Sequence, residues 1–236
     1  MSQNLNMATI SIIIPTLNEA GNIKQVITNI QPRTNIEIIV VDGGSQDDTV
    51  ALAESFGVKV ISSSPSRALQ MNAGAAIANG NILLFLHADT RLPVGFDEMI
   101  RSVLQQPGVV AGAFTLRIDG SGLPLRLVEL GVKWRSHFLQ MPYGDQAIFI
   151  TKEFFIQIGY FPEIPIMEDF ELIIRLKHIG KIAIISASVI TSARRWMQKG
   201  VIKTTLINQI VIIAYLLGIA PEQIRTWYRQ GKFWGF

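Results

Sequence analysis

The sequence predicts an α/β fold, a doubly wound and mostly parallel sheet with helices on both faces. Three observations lead there. Short β-branched runs alternate early in the chain with stretches of helical periodicity, polar clusters recur where the runs end, and 236 residues that are 49% hydrophobic can bury one large core.

Residues 9–14 (TISIII), closed by Pro15, and residues 36–41 (IEIIVV), closed by Asp42-Gly43-Gly44, read as buried parallel strands. Between them, residues 18–30 place Ile23, Val26, Ile27 and Ile30 on one helical face. Residues 47–56 continue the helical pattern and residues 58–61 form a third strand. An alanine-rich helix over 67–78 then leads to a fourth strand over 81–86, closed by His87-Ala88-Asp89-Thr90. Strands joined by helices in this way form a parallel sheet whose ligands bind at the carboxyl strand ends, where Asn18, Asp42 and Asp89 fall.

The second half reads as a strand over 109–118, a turn at 119–122, a helix over 125–138, a strand over 147–151, a helix over 168–179 led by acids, and a strand over 182–189. With no repeat and no linker composition, the expected organisation is one domain over 1–199 with a helical appendage over 200–236.

With no cysteine, disulfides and thiolate metal sites are excluded, so a metal would be of the Mg or Mn class. The polar start, residues 1–7, resembles no signal peptide, and a cytoplasmic location is expected. The net charge of +3 is unevenly spread. From Arg194 onward there are seven basic residues and one acidic residue, around the apolar run 210–220. Those eleven residues are too few to span a bilayer. They suit a helix packed on the core or one meeting anionic lipid on the inner membrane face.

Several clusters can carry chemistry. Pro15-Thr16-Leu17-Asn18-Glu19 follows the first strand, and Asn18 is also a competent N-cap. Asp42, followed by Gly43 and Gly44, leaves a backbone that a base or ribose can approach. Asp89 is either a turn former or a ligand for a hard cation bridging a diphosphate. Glu168-Asp169 at a helix start complements the macrodipole or supplies a general base. Arg194-Arg195-Trp196 offers phosphate contacts and an indole for stacking, and Arg67, ahead of Gln70 and Asn72, offers a further diphosphate contact. His87 could ligate a metal, although capping a hydrogen-bond network is the favoured reading.

In this order the segments 14–19 (IPTLNE), 40–49 (VVDGGSQDDT), 86–90 (LHADT) and 167–171 (MEDFE) resemble the family 2 glycosyltransferases over roughly residues 9–196. The LHADT and SARRW segments resemble a small bacterial subgroup named for arsenosugar biosynthesis, with carotenoid glycosyltransferase-like enzymes as related members. The resemblance implies a GT-A fold and inverting transfer from a UDP- or GDP-type sugar with Mn2+ or Mg2+. It implies that Pro15, Thr16, Asn18, Glu19, Asp42 and Gly43 hold the nucleoside, that Arg67, Asn72, Arg195 and Trp196 belong to the donor site, and that Asp89 binds the metal. Asp169, supported by Glu168, would deprotonate the acceptor. A lipid acceptor would suit the tail, and no nucleic-acid partner is expected. Two departures stand out: His87 occupies the place of the family's first metal-motif acid, and Ser192 that of a glutamine before Arg-Trp. The competing readings are a nucleotide-binding protein with little or no turnover and a sugar-phosphate nucleotidyltransferase. The latter's basic loop is absent, since residues 15–21 carry no Lys or Arg.

Overall fold

The computed structural model describes residue 5, residues 7–30 and residues 34–230. Lys232 of the basic tail and most of the polar start lie outside them. In chain order the elements are β1 (Ile10–Thr16), α1 (Ala20–Ile30), β2 (Ile36–Asp42), α2 (Thr49–Ser55), β3 (Lys59–Ser62), α3 (Arg67–Ile77), β4 (Ile82–Phe85), β5 (Thr90–Arg91) and α4 (Phe96–Leu104). They continue with β6 (Val109–Asp119), α5 (Leu123–Leu139), a 3-10 turn (Gly144–Gln146), β7 (Phe149–Thr151), α6 (Lys152–Gln157), α7 (Glu168–Lys177), β8 (Lys181–Ser192), α8 (Arg194–Lys199), α9 (Val201–Leu216) and α10 (Pro221–Gln230).

Among the described residues one eight-stranded sheet runs in the order β3-β2-β1-β4-β7-β6-β8-β5. The β3-β2-β1-β4 half is parallel, as the alternation of strands and helices requires. Strand β7 inserts antiparallel between β4 and β6, and β6 pairs parallel with β8 across two register shifts.

Period-two alternation divides the core into two layers. Ile12 and Ile14 of β1, Val40 of β2 and Leu84 of β4 point into one cluster with Ile23 and Ile27 of α1 and Phe96 and Ile100 of α4. Ile13, Ile39, Val41, Leu83 and Phe85 point the other way, against Met71 and Ala75 of α3 and Leu172 and Ile173 of α7. Helix α3 lies close on β1 because residue 74 is glycine; a Cβ there would meet Ile13 Cγ2 at 2.5 Å. The appendage also packs down: Val211 and Ala214 of α9 and Ile224 of α10 join the second layer, and α5 lies beside α9.

Sequence reading misses α4, α6, α8 and the two-residue β5. Helix α4 shows the helical pattern, with Phe96, Ile100 and Leu104 buried, behind a left-handed Gly95. Strand β5 exists only through antiparallel pairing with Ile190 and Thr191, a nonlocal contact with no local signature.

Candidate active site

The carboxyl ends of β1 and β2 are tied by a dense polar turn. Asp42 is buried, and its Oδ2 accepts from the Gly44 and Ser45 amides at 2.8 and 2.9 Å. Its Oδ1 accepts from the Ser45 hydroxyl at 2.5 Å and the Thr16 hydroxyl at 3.3 Å. Burial pulls the carboxyl upward, but these hydrogen bonds outweigh it and hold Asp42 below its ordinary value. Gln70 on α3 donates its Nε2 to both Thr16 O and Val41 O at 2.8 Å, and Gly43 packs against that amide with no room to spare.

Asn18 is not the N-cap of α1, which starts two residues later. It sits in the left-handed region, φ 56°, donating its amide to Ser45 Oγ and accepting from the Gln46 amide, each at 2.8 Å. The helix start is satisfied from the neighbouring loop instead: Glu19 N donates to Thr49 Oγ1 at 2.8 Å and Ala20 N to Asp47 Oδ2 at 3.1 Å.

At the end of β4, burial first and the Glu19 charge second raise the Asp89 carboxyl, while Arg194 opposes them. Arg194 Nη2 is 2.8 Å from Glu19 Oε1 and 4.0 Å from Asp89 Oδ2. The Ser192 amide donates to Asp89 O at 3.2 Å, which brings the start of α8 to this edge. Among the described residues no group of three His, Asp or Glu side chains could cage a metal. The donor set nevertheless fits a hard cation that keeps phosphate oxygens and water as its other ligands, because one or two carboxylates suffice for such an ion. Asp89 would hold it, with Glu19 and Arg194 as neighbours.

The other half of the site is a small, narrow cleft lined by Arg67, Phe85, His87, Gly144, Phe161 and Asp169. Asp169 is fixed by two backbone donors, Gly144 N to Oδ2 at 2.7 Å and Phe170 N to Oδ1 at 2.8 Å. Glu168 is turned inward and buried, 3.3 Å from Arg67, whose side chain stays half exposed at 52%. Burial raises the Glu168 carboxyl, Arg67 opposes it, and Asp169 adds to the rise. Burial, helped by the Arg67 charge, brings His87 down to about 3, so the ring is neutral at physiological pH. A neutral imidazole therefore stands where the family's first metal-motif acid is expected.

The structure thus brings Pro15, Thr16, Asn18, Glu19, Asp42 and Gly43 to one turn system and Arg67, Glu168 and Asp169 to the cleft. Three expected donor contacts are differently engaged. Asn72 clamps Phe161, accepting from its amide at 3.0 Å and donating to its carbonyl at 2.9 Å. Trp196 is 9% exposed within the first core layer, so its ring presents no free face for stacking. Arg195 points to the C-terminal helices, 2.7 Å from Asn208 Oδ1 and over the Tyr228 ring at 4.9 Å. The cause is helical: α8 begins at Arg194, so successive side chains diverge by about 100° and only Arg194 reaches Asp89.

Sequence reading missed Gly144, Asp145 and the brace around them. Arg135 of α5 lies 3.4 Å over the Tyr143 ring and donates to Met141 O at 2.9 Å and Gln146 Oε1 at 3.2 Å. Asp145 Oδ1 is buried with no hydrogen-bond partner, and burial raises that carboxyl against the pull of Arg135. The polar run Tyr143-Gly144-Asp145-Gln146, directly before a strand, was the available signal.

Residues 11–161 match the family model for glycosyl transferase family 2. The chain is similar to the glucosyl-3-phosphoglycerate synthase of Mycobacterium tuberculosis (strain ATCC 25618 / H37Rv), 33% identical over 34% of this chain and 29% of that protein. It is also similar to the PGL/p-HBAD biosynthesis glycosyltransferase of Mycobacterium bovis (strain BCG / Pasteur 1173P2), 37% identical over 35% and 36%. These matches span less than half the length of the curated relatives. Among solved structures, the mannosyltransferase PcManGT of Pyrobaculum calidifontis with GDP-Man and Mn2+ superposes with a TM-score of 0.65 at 18% identity, over 96% of this chain and 69% of that one. The M. tuberculosis synthase with Mn2+, UDP and phosphoglyceric acid gives 0.60 at 22% identity, over 84% and 78%. At such identities the likeness shows the fold, which is that of the GT-A glycosyltransferases. With the family model matched over more than half its length, this chain belongs to glycosyl transferase family 2.

Proposed function

We propose that this chain is an inverting, hexosyltransferase-like enzyme that moves a sugar from a UDP- or GDP-type donor to an acceptor hydroxyl, with Asp169 as the base. The observation that carries this reading is the pair of backbone hydrogen bonds that fixes the Asp169 carboxylate in the cleft that Arg67 also lines. The acceptor O–H proton passes to Asp169, the oxygen attacks the anomeric carbon, and the bond to the diphosphate breaks on the opposite face. Arg67 offers its guanidinium to diphosphate oxygens while Glu168 holds it in place. The turn around Thr16, Asn18 and Asp42 takes the nucleoside. A bound Mn2+ or Mg2+ on Asp89 would neutralise charge on the departing nucleoside diphosphate.

The catalytic unit in this reading is residues 1–199, with 200–236 as an appendage that meets the membrane from the cytoplasmic side, and the acceptor is a lipid or a small molecule. Calorimetric titration with UDP- and GDP-sugars plus Mn2+ tests the reading, together with transfer assays on two variants. Asp169→Asn should bind nucleotide and lose transfer, and Asp89→Asn should lose the metal-dependent part of nucleotide binding. No nucleotide binding with or without metal would overturn the proposal. Transfer that persists in Asp169→Asn would remove the base from it. The neutral His87 favours one alternative, a protein that binds nucleotide with little turnover; nucleotide binding with no transfer by the wild-type chain would select it.

A further inference from the structure

Helix α5 exposes Leu123, Leu127, Leu130, Trp134 and Phe138, each more than half accessible. Their spacing puts all five on one stripe, while Leu125, Val128 and Val132 on the opposite side pack into the core. Helix α9 repeats the arrangement. It exposes Ile202, Leu206, Ile210 and Ile213, with Leu217 just beyond its end, and buries Thr204, Ile207, Val211 and Ala214. The two helices pack side by side. Paired apolar stripes of this size are uncommon on a soluble monomer unless something covers them.

Charge selects the occupant. Lys133 on α5 and Lys199 and Lys203 around the start of α9 are exposed. Helix α9 has no acidic residue, and the one acid of α5, Glu129, is held by Arg126 at 2.9 Å and the Ile118 amide at 2.7 Å. A second copy docked on the same face would set lysines against lysines, whereas an anionic bilayer would neutralise them. At 17 and 16 residues neither helix can cross a bilayer, but both can lie in its interface. The Trp134–Phe138 ring pair, 5.8 Å between centroids, suits headgroup depth.

We infer that α5 and α9 together form a docking face for an anionic membrane, with α5 carrying half of it from within the catalytic unit. The face also adjoins the site. The residue after Trp134 is Arg135, which braces the turn whose Gly144 holds Asp169. A membrane-borne acceptor would therefore reach the cleft from this side, a consequence that rests on the function proposed above; the docking face extends the membrane contact proposed there for 200–236 to α5 and does not depend on sugar transfer.

The test is flotation of the full chain, without sugar donor, on vesicles of phosphatidylcholine alone and with added phosphatidylglycerol. The wild type should float with the anionic vesicles and far less with neutral ones. Leu130→Glu/Trp134→Glu and Leu206→Glu/Ile213→Glu should each weaken flotation by about tenfold or more, and Lys133→Glu/Lys203→Glu, confined to exposed polar positions, should weaken it on anionic vesicles. Circular dichroism and thermal unfolding of the same samples report folding without relying on nucleotide binding, which separates this test from that of the enzymatic reading. The inference is overturned if the wild type does not float, or if the α5 variant floats as well as wild type. It is equally overturned if the chain elutes as a dimer that these substitutions dissolve, which would make a second copy the occupant.

Discussion

Gly144→Ala tests the cleft most directly, because it adds one methyl group between His87 and Asp169, the base of the proposed chemistry. A Cβ at this position would lie 3.1 Å from Asp169 Oδ2 and 3.1 Å from His87 Nε2. Residue 144 does not have a positive φ, so alanine meets no backbone strain and the whole effect comes from this contact. To relieve it, one neighbour must shift by a few tenths of an ångström. Asp169 is held by the Gly144 and Phe170 amides at 2.7 and 2.8 Å, so its shift weakens a charge-assisted hydrogen bond of about 1.5–3 kcal/mol. If it stays in place, the overpacking costs about 1–3 kcal/mol. Either route predicts a Tm roughly 2–12 °C lower, since about 1 kcal/mol moves a chain of this size by 2–4 °C. A base displaced by a fraction of an ångström should lower kcat by roughly tenfold, while nucleoside affinity, which depends on the distant Asp42 turn, stays unchanged. Thermal unfolding, calorimetric titration and steady-state transfer measure the three quantities. An unchanged Tm and kcat would refute the reasoning, as would a loss confined to nucleotide affinity. Gly131→Ala is the control: that glycine is inside α5 with nothing within 4 Å of an added Cβ, and the change should stabilise by about 0.5–1 kcal/mol.

Two further outcomes follow from the electrostatics. His87 is depressed to about 3 from 6.5, so its contribution to stability is complete above pH 6.5 and is lost as the pH falls toward 3. Between pH 7 and pH 5 the wild type should lose up to roughly 2 kcal/mol that His87→Gln does not lose, read from urea midpoints at the two pH values; equal losses would show that the ring titrates normally. Asp42→Asn keeps the size of the side chain but cannot accept all four hydrogen bonds, and should cost about 1.5–3 kcal/mol in urea unfolding together with a marked loss of nucleotide affinity. A variant as stable as wild type would mean that the turn does not depend on the charge.

The parallel half of the sheet was legible because its determinants are local. Ile12, Ile13 and Ile14 alternate between two buried layers, so the run is apolar throughout, and Ile23, Val26, Ile27 and Ile30 mark the covering face of α1 by spacing alone. Carboxyl-end placement of Asn18, Asp42 and Asp89 follows from the same alternation. The antiparallel insertion of β7 and the two residues of β5 were not legible, because each is defined by a partner far away in the chain.

Periodicity and short motifs were enough to give the strand and helix alternation, the family, and the carboxylates that follow strands or start helices. What each polar group faces came from packing. It put Arg194 rather than Arg195 beside Asp89, turned Trp196 into the core, engaged Asn72 with Phe161, and set Gly144 between His87 and Asp169. It also laid α5 beside α9. The reason is geometric: one residue of helix rotates a side chain by about 100°, and whether that turns it toward a site, a core or solvent depends on packing partners that are distant in sequence.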